Sequence, residues 1–190
     1  NCEPPVSEKS TPRPLSPYGA SKMACEGYIS SYAESFGIKS VVLRFGNVYG
    51  PYSSHKNGVI NNWILSALND KPIIVYGDGQ SSRDYIHVKD LCDGIVLAIK
   101  YLKSKNTENF SIFHLAKNEE ITLISLAKII SVINGRDLQI NYYPNRRGEV
   151  YRNFANISKA KSILGFNPKI SLNEGIKNIY DWLKINEGKN

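Results

Sequence analysis

Ser40-Val41-Val42-Leu43-Arg44-Phe45-Gly46-Asn47-Val48-Tyr49-Gly50-Pro51 joins two kinds of sequence. The first half is short and almost wholly apolar, the pattern of a strand buried in a parallel sheet. The second half is rich in turn formers. In open α/β sheets, ligands bind beyond the carboxyl ends of the strands, so Asn47 stands where a ligand would be met. Loop capping in a Gly-rich turn is the other reading of that asparagine. Upstream, Ala20, Met23, Ala24, Tyr28, Ile29 and Tyr32 recur at helical spacing between Gly19 and about Phe36, and Gly37 fits the C-terminal stop. Downstream the pattern predicts a helix over 59–68 and a strand over 72–76. A Gly77-Asp78-Gly79 turn precedes Arg83-Asp84-Tyr85-Ile86-His87-Val88, and a helix opens at Lys89-Asp90. A strand over 110–115, a helix over 123–133, a strand over 138–143 and two tail helices, 158–164 and 172 to about 185, complete the alternation. Alternating strands and helices define an α/β protein.

The 190 residues allow one substantial core or one and a half small domains. With 42% hydrophobic and 22% charged residues the composition is globular, and no apolar run is long enough to span a bilayer. Cys2, Cys25 and Cys92 have no metal-ligand spacing and read as reduced thiols in a cytoplasmic protein. The formal charge of +7 raises the question of nucleic acid. The lysines and arginines are scattered, however, without the aromatic interleaving of single-strand binders, and nucleic acid is not an expected partner. The chain opens in a polar, proline-rich stretch without an initiator methionine, which reads as the later part of a longer protein.

The densest chemical signal lies in Ser16-Pro17-Tyr18-Gly19-Ala20-Ser21-Lys22. A helix starting here puts Tyr18 and Lys22 on one face, one turn apart. A free phenol titrates at about 10 and is a poor base at neutral pH. A nearby cation favours the phenolate, which a proton-abstracting tyrosine needs. His87, in the apolar frame Tyr85-Ile86-His87-Val88, reads as structural, and His55 and His114 have no constellation around them. Asp84 and Asp90 read as residues that fix loop and helix-start geometry. No cluster has metal-ligand spacing, so no metal is expected.

Taken together, four segments resemble the extended short-chain dehydrogenase/reductase superfamily, specifically the UDP-galactose 4-epimerase type within the NAD-dependent epimerase/dehydratase family. They are Pro14–Lys22, Leu43–Pro51, Tyr76–Gly79 with Arg83–Asp90, and Arg147-Gly148-Glu149 with Ala155–Ala160 and Leu164–Pro168. They occur in family order across nearly the whole chain. The resemblance implies a partial Rossmann-type fold, a doubly wound parallel sheet, with a smaller α/β substrate-binding domain. Residues 1–57 would belong to the NAD-binding domain. Residues 58–190 would mainly bind nucleotide sugar, with segments around 80–117 returning to the Rossmann domain.

For the site, the resemblance implies Tyr18 as base and Lys22 as its partner and as a ligand of the NAD ribose, with Phe45 near the nicotinamide. Asn47, Val59, Tyr76, Arg83 and Arg147 would bind a nucleotide sugar, Arg83 and Arg147 clamping its diphosphate through planar guanidinium groups. Arg146 competes with its neighbour for that role. The implied reaction is inversion at C4 of a UDP-hexose: deprotonation, hydride transfer to NAD+, rotation of the ketone and hydride return. A 4,6-dehydratase or related reductase is the alternative within the family, and a non-catalytic nucleotide-sugar binding module the alternative outside it. The departures are the missing Gly-x-x-Gly-x-x-Gly loop and upstream Ser/Thr, which predict that this segment alone is inactive, and Asn61, which replaces a frequent proline. The helix over 19–36 implies a homodimer by analogy, although its apolar residues would equally suit a core face.

Overall fold

A computed structural model describes residues 3–53, 58–105, 107–146 and 148–187. In chain order these form α1 (Pro17–Phe36), β1 (Ser40–Phe45), β2 (Asn47–Tyr49), α2 (Val59–Leu68), β3 (Ile73–Tyr76), β4 (Ser82–Arg83), β5 (Tyr85–His87) and α3 (Val88–Leu102). There follow β6 (Phe110–Leu115), β7 (Ile121–Thr122), α4 (Leu123–Asn134), β8 (Ile140–Tyr143), β9 (Arg152–Asn153), a π-helical stretch Ala160–Leu164 and α5 (Leu172–Glu187). The alternation expected from sequence is present. The segment 83–88, to which the pattern assigned no element, holds β5 and the end of β4, while the expected helix over 158–164 winds as a single π turn.

Parallel pairing dominates. β1 lies beside β6 in register from Ser40↔Phe110 to Phe45↔Leu115, β2 beside β5, and β3 beside β8. The three-stranded sheet β7-β4-β9 mixes an antiparallel and a parallel pair. Two cores result. In the first, α2, α4 and α5 close over β3 and β8 around Ile64, Ile73, Leu126, Ile130, Ile176 and Leu183. In the second, α3 and the segment 157–166 cover β6 around Ile86, Phe113, Leu115, Ile157 and Phe166. Fully burying such a side chain contributes about 1.5–3 kcal/mol.

Two buried carboxylates tie the later chain to these cores. Asp84 Oδ1 accepts from Lys117 N (2.8 Å), and its Oδ2 from Asn118 N (3.0 Å) and Ala155 N (3.2 Å). Asp90 accepts from Lys169 N (3.0 Å) and Ile170 N (2.9 Å). Both therefore fix geometry between segments distant in sequence, as their context suggested.

The first helix differs from its pattern. It begins at Pro17 rather than Gly19, because Ser16 caps it: the Ser16 hydroxyl accepts from Gly19 N at 3.1 Å, and proline at the first position has no N–H to leave unpaired. Gly37 ends it in a left-handed conformation, φ 65°. The periodic apolar residues do not enter either core, and Tyr28 is 70% exposed and Tyr32 55%. The face turned inward is Gly19, Glu26, Ser30 and Ala33. Small side chains let the helix approach β1 and β6 closely, and the larger apolar residues lie outside that stripe.

Candidate active site

The cap and proline that start α1 put Tyr18 and Lys22 one turn apart, with the Lys22 ammonium 5.4 Å from the centroid of the Tyr18 ring. The Tyr18 ring stands 72% exposed at the head of the helix. An ammonium over an aromatic face is attracted by the ring quadrupole, and the attraction grows if the phenol ionises. Pairing of base and cation is the first requirement of a tyrosine that removes a proton.

Lys22 lines a cleft of about 280 Å³ that runs along α1 and the carboxyl end of β1. Gly19, Glu26, Arg44, Phe45, Asn47 and His114 share its wall. Phe45, at the strand end, leaves its ring half exposed toward it. Beneath Lys22, the Glu26 carboxylate receives Arg44 in bidentate fashion, Nε at 2.8 Å and Nη2 at 2.6 Å, which fastens α1 to β1.

A second cleft of about 480 Å³ lies between α2, β3 and β4. It brings together Asn47, Val59, Tyr76 and Arg83, four residues expected to contact substrate. Asn47 lines both clefts and joins them. Its place is set by backbone: β2 pairs with β5, and Asn47 N donates to Asp84 O at 2.6 Å. Trp63 Nε1 donates to Ile74 O at 3.2 Å and ties α2 to β3 behind the cleft.

The basic side chains there are held in place. Arg83 donates through Nη1 to Ser82 O (2.7 Å) and Val150 O (2.8 Å), and through Nη2 to Glu149 (2.7 Å). Arg146 stacks on Tyr76, its guanidinium carbon 3.8 Å from the ring centroid. Arg147 lies outside the described residues, as does His55. Among the described residues Arg146 and Arg83 both line this cleft. Sequence context favoured Arg147 for its Gly-Glu neighbours, and the stacking of Arg146 on Tyr76 is carried by no sequence signal.

Other residues were not legible as site components. Tyr85 borders the second cleft with its hydroxyl buried and unpartnered, and burial pushes the phenol up to about 12. Asn61 donates from Nδ2 to Ser53 O (2.6 Å) and Ser53 Oγ (2.9 Å), a bond a proline at this position would lack. The chain 50–53 is thereby held to the start of α2. His87 caps α3, accepting at Nδ1 from Lys89 N at 3.2 Å, and burial lowers its pKa. It is a structural histidine. Among the described residues no three His, Cys, Asp or Glu side chains are grouped to hold a metal ion, and no helix is long and apolar enough to cross a membrane.

The tyrosine–lysine pair at the helix head thus stands beside the carboxyl ends of parallel strands and near an arginine-lined cleft, the place where open α/β folds bind ligands. The family model described as the NAD dependent epimerase/dehydratase family matches residues 1–112, and the chain belongs to that family. The chain is 38% identical over 184 residues to a putative UDP-glucose 4-epimerase of Methanocaldococcus jannaschii, covering 96% of this chain and 58% of that protein. The structure of the Thermotoga maritima UDP-glucose 4-epimerase with UDP-glucose superposes at a TM-score of 0.87 with 33% identity, covering 95% of this chain and 57% of that one. A Streptomyces venezuelae dTDP-glucose 4,6-dehydratase with NAD bound superposes at 0.86 with 28% identity, covering 96% and 55%. The chain spans somewhat over half the length of these relatives.

Proposed function

We propose that the whole protein is an NAD-dependent nucleotide-sugar 4-epimerase acting on a UDP-hexose. The observation that carries this reading is the position of Asn47 on the shared wall of the two clefts. One ligand can lie across it, with its reacting sugar toward Tyr18 and Lys22 and its nucleotide toward Tyr76 and Arg83. Val59, at the start of α2, borders the same path.

The cleft beside Lys22 suits the nicotinamide end of NAD, because a cation able to bond ribose hydroxyls and an exposed aromatic ring, Phe45, share its wall. Bound there, NAD supplies reversible oxidation of the sugar carbinol carbon. Tyr18 as phenolate takes the proton from the C4 hydroxyl. Lys22 holds the phenolate by its charge. Asn47 donates to the sugar or diphosphate, and Arg83, with Arg146 or Arg147, meets the diphosphate charge. Tyr18 returns the proton once the opposite face of the 4-ketone is presented. A 4,6-dehydratase is the second reading, favoured by the dehydratase whose structure superposes.

We infer that residues 1–57 with segments around 80–117 form the cofactor side and that the rest of 58–190 mainly forms the nucleotide-sugar side. The exposed Tyr28 and Tyr32 of α1 would serve a homodimer, and soluble substrates and reduced thiols fit the cytoplasm.

The test is incubation of the full-length protein with UDP-glucose, UDP-N-acetylglucosamine and dTDP-glucose, followed by proton NMR. The matching 4-epimer is expected, and a 4-keto-6-deoxy product would transfer the protein to the dehydratases. Tyr18→Phe should still bind NAD and sugar nucleotide while turnover falls by about a hundredfold or more. Near-normal turnover in that variant would remove Tyr18 from the chemistry.

A further inference from the structure

Lys22 and Glu26 are four residues apart on α1, line the same cleft and carry opposite charges, the spacing at which helical ion pairs form. Among the described residues, however, no ion pair joins them. The Lys22 ammonium lies over Tyr18, and the Glu26 carboxylate has both oxygens occupied by Arg44 at 2.8 and 2.6 Å. This pair is largely shielded, with side chains 22% and 20% exposed. Arg44 comes from β1, where it stands opposite His114 of β6, and Glu8 accepts from the His114 backbone N at 2.9 Å. Among the described residues, the charged and titratable groups facing Lys22 include Tyr18 and Glu26 on its own helix, Arg44 from β1, and Asp84 and His114 on the cleft wall, with Glu8 behind His114.

We propose that Glu26 and Arg44 are positioning residues for the Tyr18–Lys22 pair: by taking both carboxylate oxygens of Glu26, Arg44 keeps that carboxylate from capturing Lys22 and leaves the ammonium to Tyr18. Bidentate geometry matters because a guanidinium fork satisfies both oxygens at once, leaving neither as a strong acceptor on the cleft side. The same contact fixes how α1 sits on β1. The inference rests on reading Tyr18 as the proton-abstracting base, and it assigns a task in that chemistry to a pair on the cleft wall that acts through Lys22.

The experiment titrates Tyr18 directly. The full-length protein is labelled with carbon-13 at tyrosine Cζ, and the Tyr18 signal is identified by its loss in Tyr18→Phe. In Arg44→Met the freed carboxylate turns to Lys22, and the Tyr18 titration is expected to move up by about one pH unit. Glu26→Gln/Arg44→Met removes both charges and should return the titration to the wild-type value, as should Arg44→Lys, which keeps the cation. Glu26→Gln alone, which leaves Arg44 as an extra cation, should move it down. The acid limb of the kcat profile should shift in the same directions. An Arg44→Met titration like wild type, or one shared by Arg44→Met and the double variant, overturns the proposal and leaves the pair as a fastening only. Failure of the epimerase reading would appear separately, as absence of turnover in a wild-type protein whose Tyr18 still titrates.

Discussion

Asp84→Asn preserves volume and removes one acceptor from a buried carboxylate that three backbone N–H groups reach. Asp84 receives three backbone N–H groups, from Lys117 at one oxygen and from Asn118 and Ala155 at the other. Asparagine offers a single acceptor oxygen. Turned to serve Asn118 and Ala155, it points its own NH2 at the Lys117 N–H, and that buried donor is stranded at a cost of about 1–3 kcal/mol. The two surviving bonds lose their charge assistance, for about 1 kcal/mol more. Against this, a neutral amide avoids the burial cost that lifts the Asp84 carboxyl above its ordinary value. That relief offsets part of the loss, and the net expectation is a cost of about 1–3 kcal/mol, a large part of a typical folding free energy.

In urea, with a slope of about 2 kcal/mol/M, that loss lowers the unfolding midpoint of the full-length protein by about 1 M. A second readout has its own sign. Because the folded carboxyl titrates above 3.8, the native state holds that proton more tightly than the unfolded chain, so its contribution is lost as pH rises from 3.8 through the lifted value. Asp84→Asn should lack this fall. An unchanged or raised midpoint at neutral pH would refute the reasoning and show that desolvation outweighs the three hydrogen bonds.

Other outcomes follow from neighbouring contacts. In Gly46→Ala the new Cβ would sit 3.0 Å from the Asp84 carbonyl and 3.1 Å from Ala116 Cβ, tighter than ordinary van der Waals contact, so backbone must give way. The variant should lose about 1–3 kcal/mol in thermal unfolding and show a raised KM for nucleotide sugar, since Asn47 is the next residue; an unchanged KM would separate Gly46 from the site. Glu120, bonded to Arg152 and to the Ser82 hydroxyl, links the three strands of the mixed sheet, and these bonds hold its carboxyl at about 2 rather than 4.5. The stability it contributes is present above 4.5 and is lost as pH falls toward 2. Glu120→Gln should flatten that acid limb by less than about 1 kcal/mol, because the pair is partly exposed. An acid limb identical to wild type would show that Glu120 contributes nothing to it.

The alternation of elements was legible because apolar runs and turn residues report local backbone preference: β6 spans the expected 110–115, and α4 runs one residue past the expected end. Asn47, Val59, Tyr76 and Arg83, expected to bind substrate from the family resemblance, line one cleft. Long-range placement was not legible. Nothing in the sequence around Asp84 names 117, 118 and 155 as its partners, because those meet only when β6 and the later chain fold over it. The inward face of α1 was hidden for a different reason. Periodicity rewards large apolar residues, whereas the half-buried and buried positions of α1 include the small Gly19, Ser30 and Ala33. Arg146 stacking on Tyr76 is a conformational fact about two side chains 70 positions apart, beyond the reach of motif or period.

The narrow seam by which α1 meets the sheet divides that helix between two kinds of selection. One strip is constrained at the helix head: a methyl added at Gly19 would come 3.1 Å from Pro14 Cβ and press on the turn that presents Tyr18. The opposite flank, with Ala24, Tyr28 and Tyr32 facing outward, carries no such constraint from within the subunit. Its side chains can be exchanged, enlarged or recharged without moving Tyr18, so the outside of this helix is open to adaptation at an interface while the chemistry beside it stays fixed.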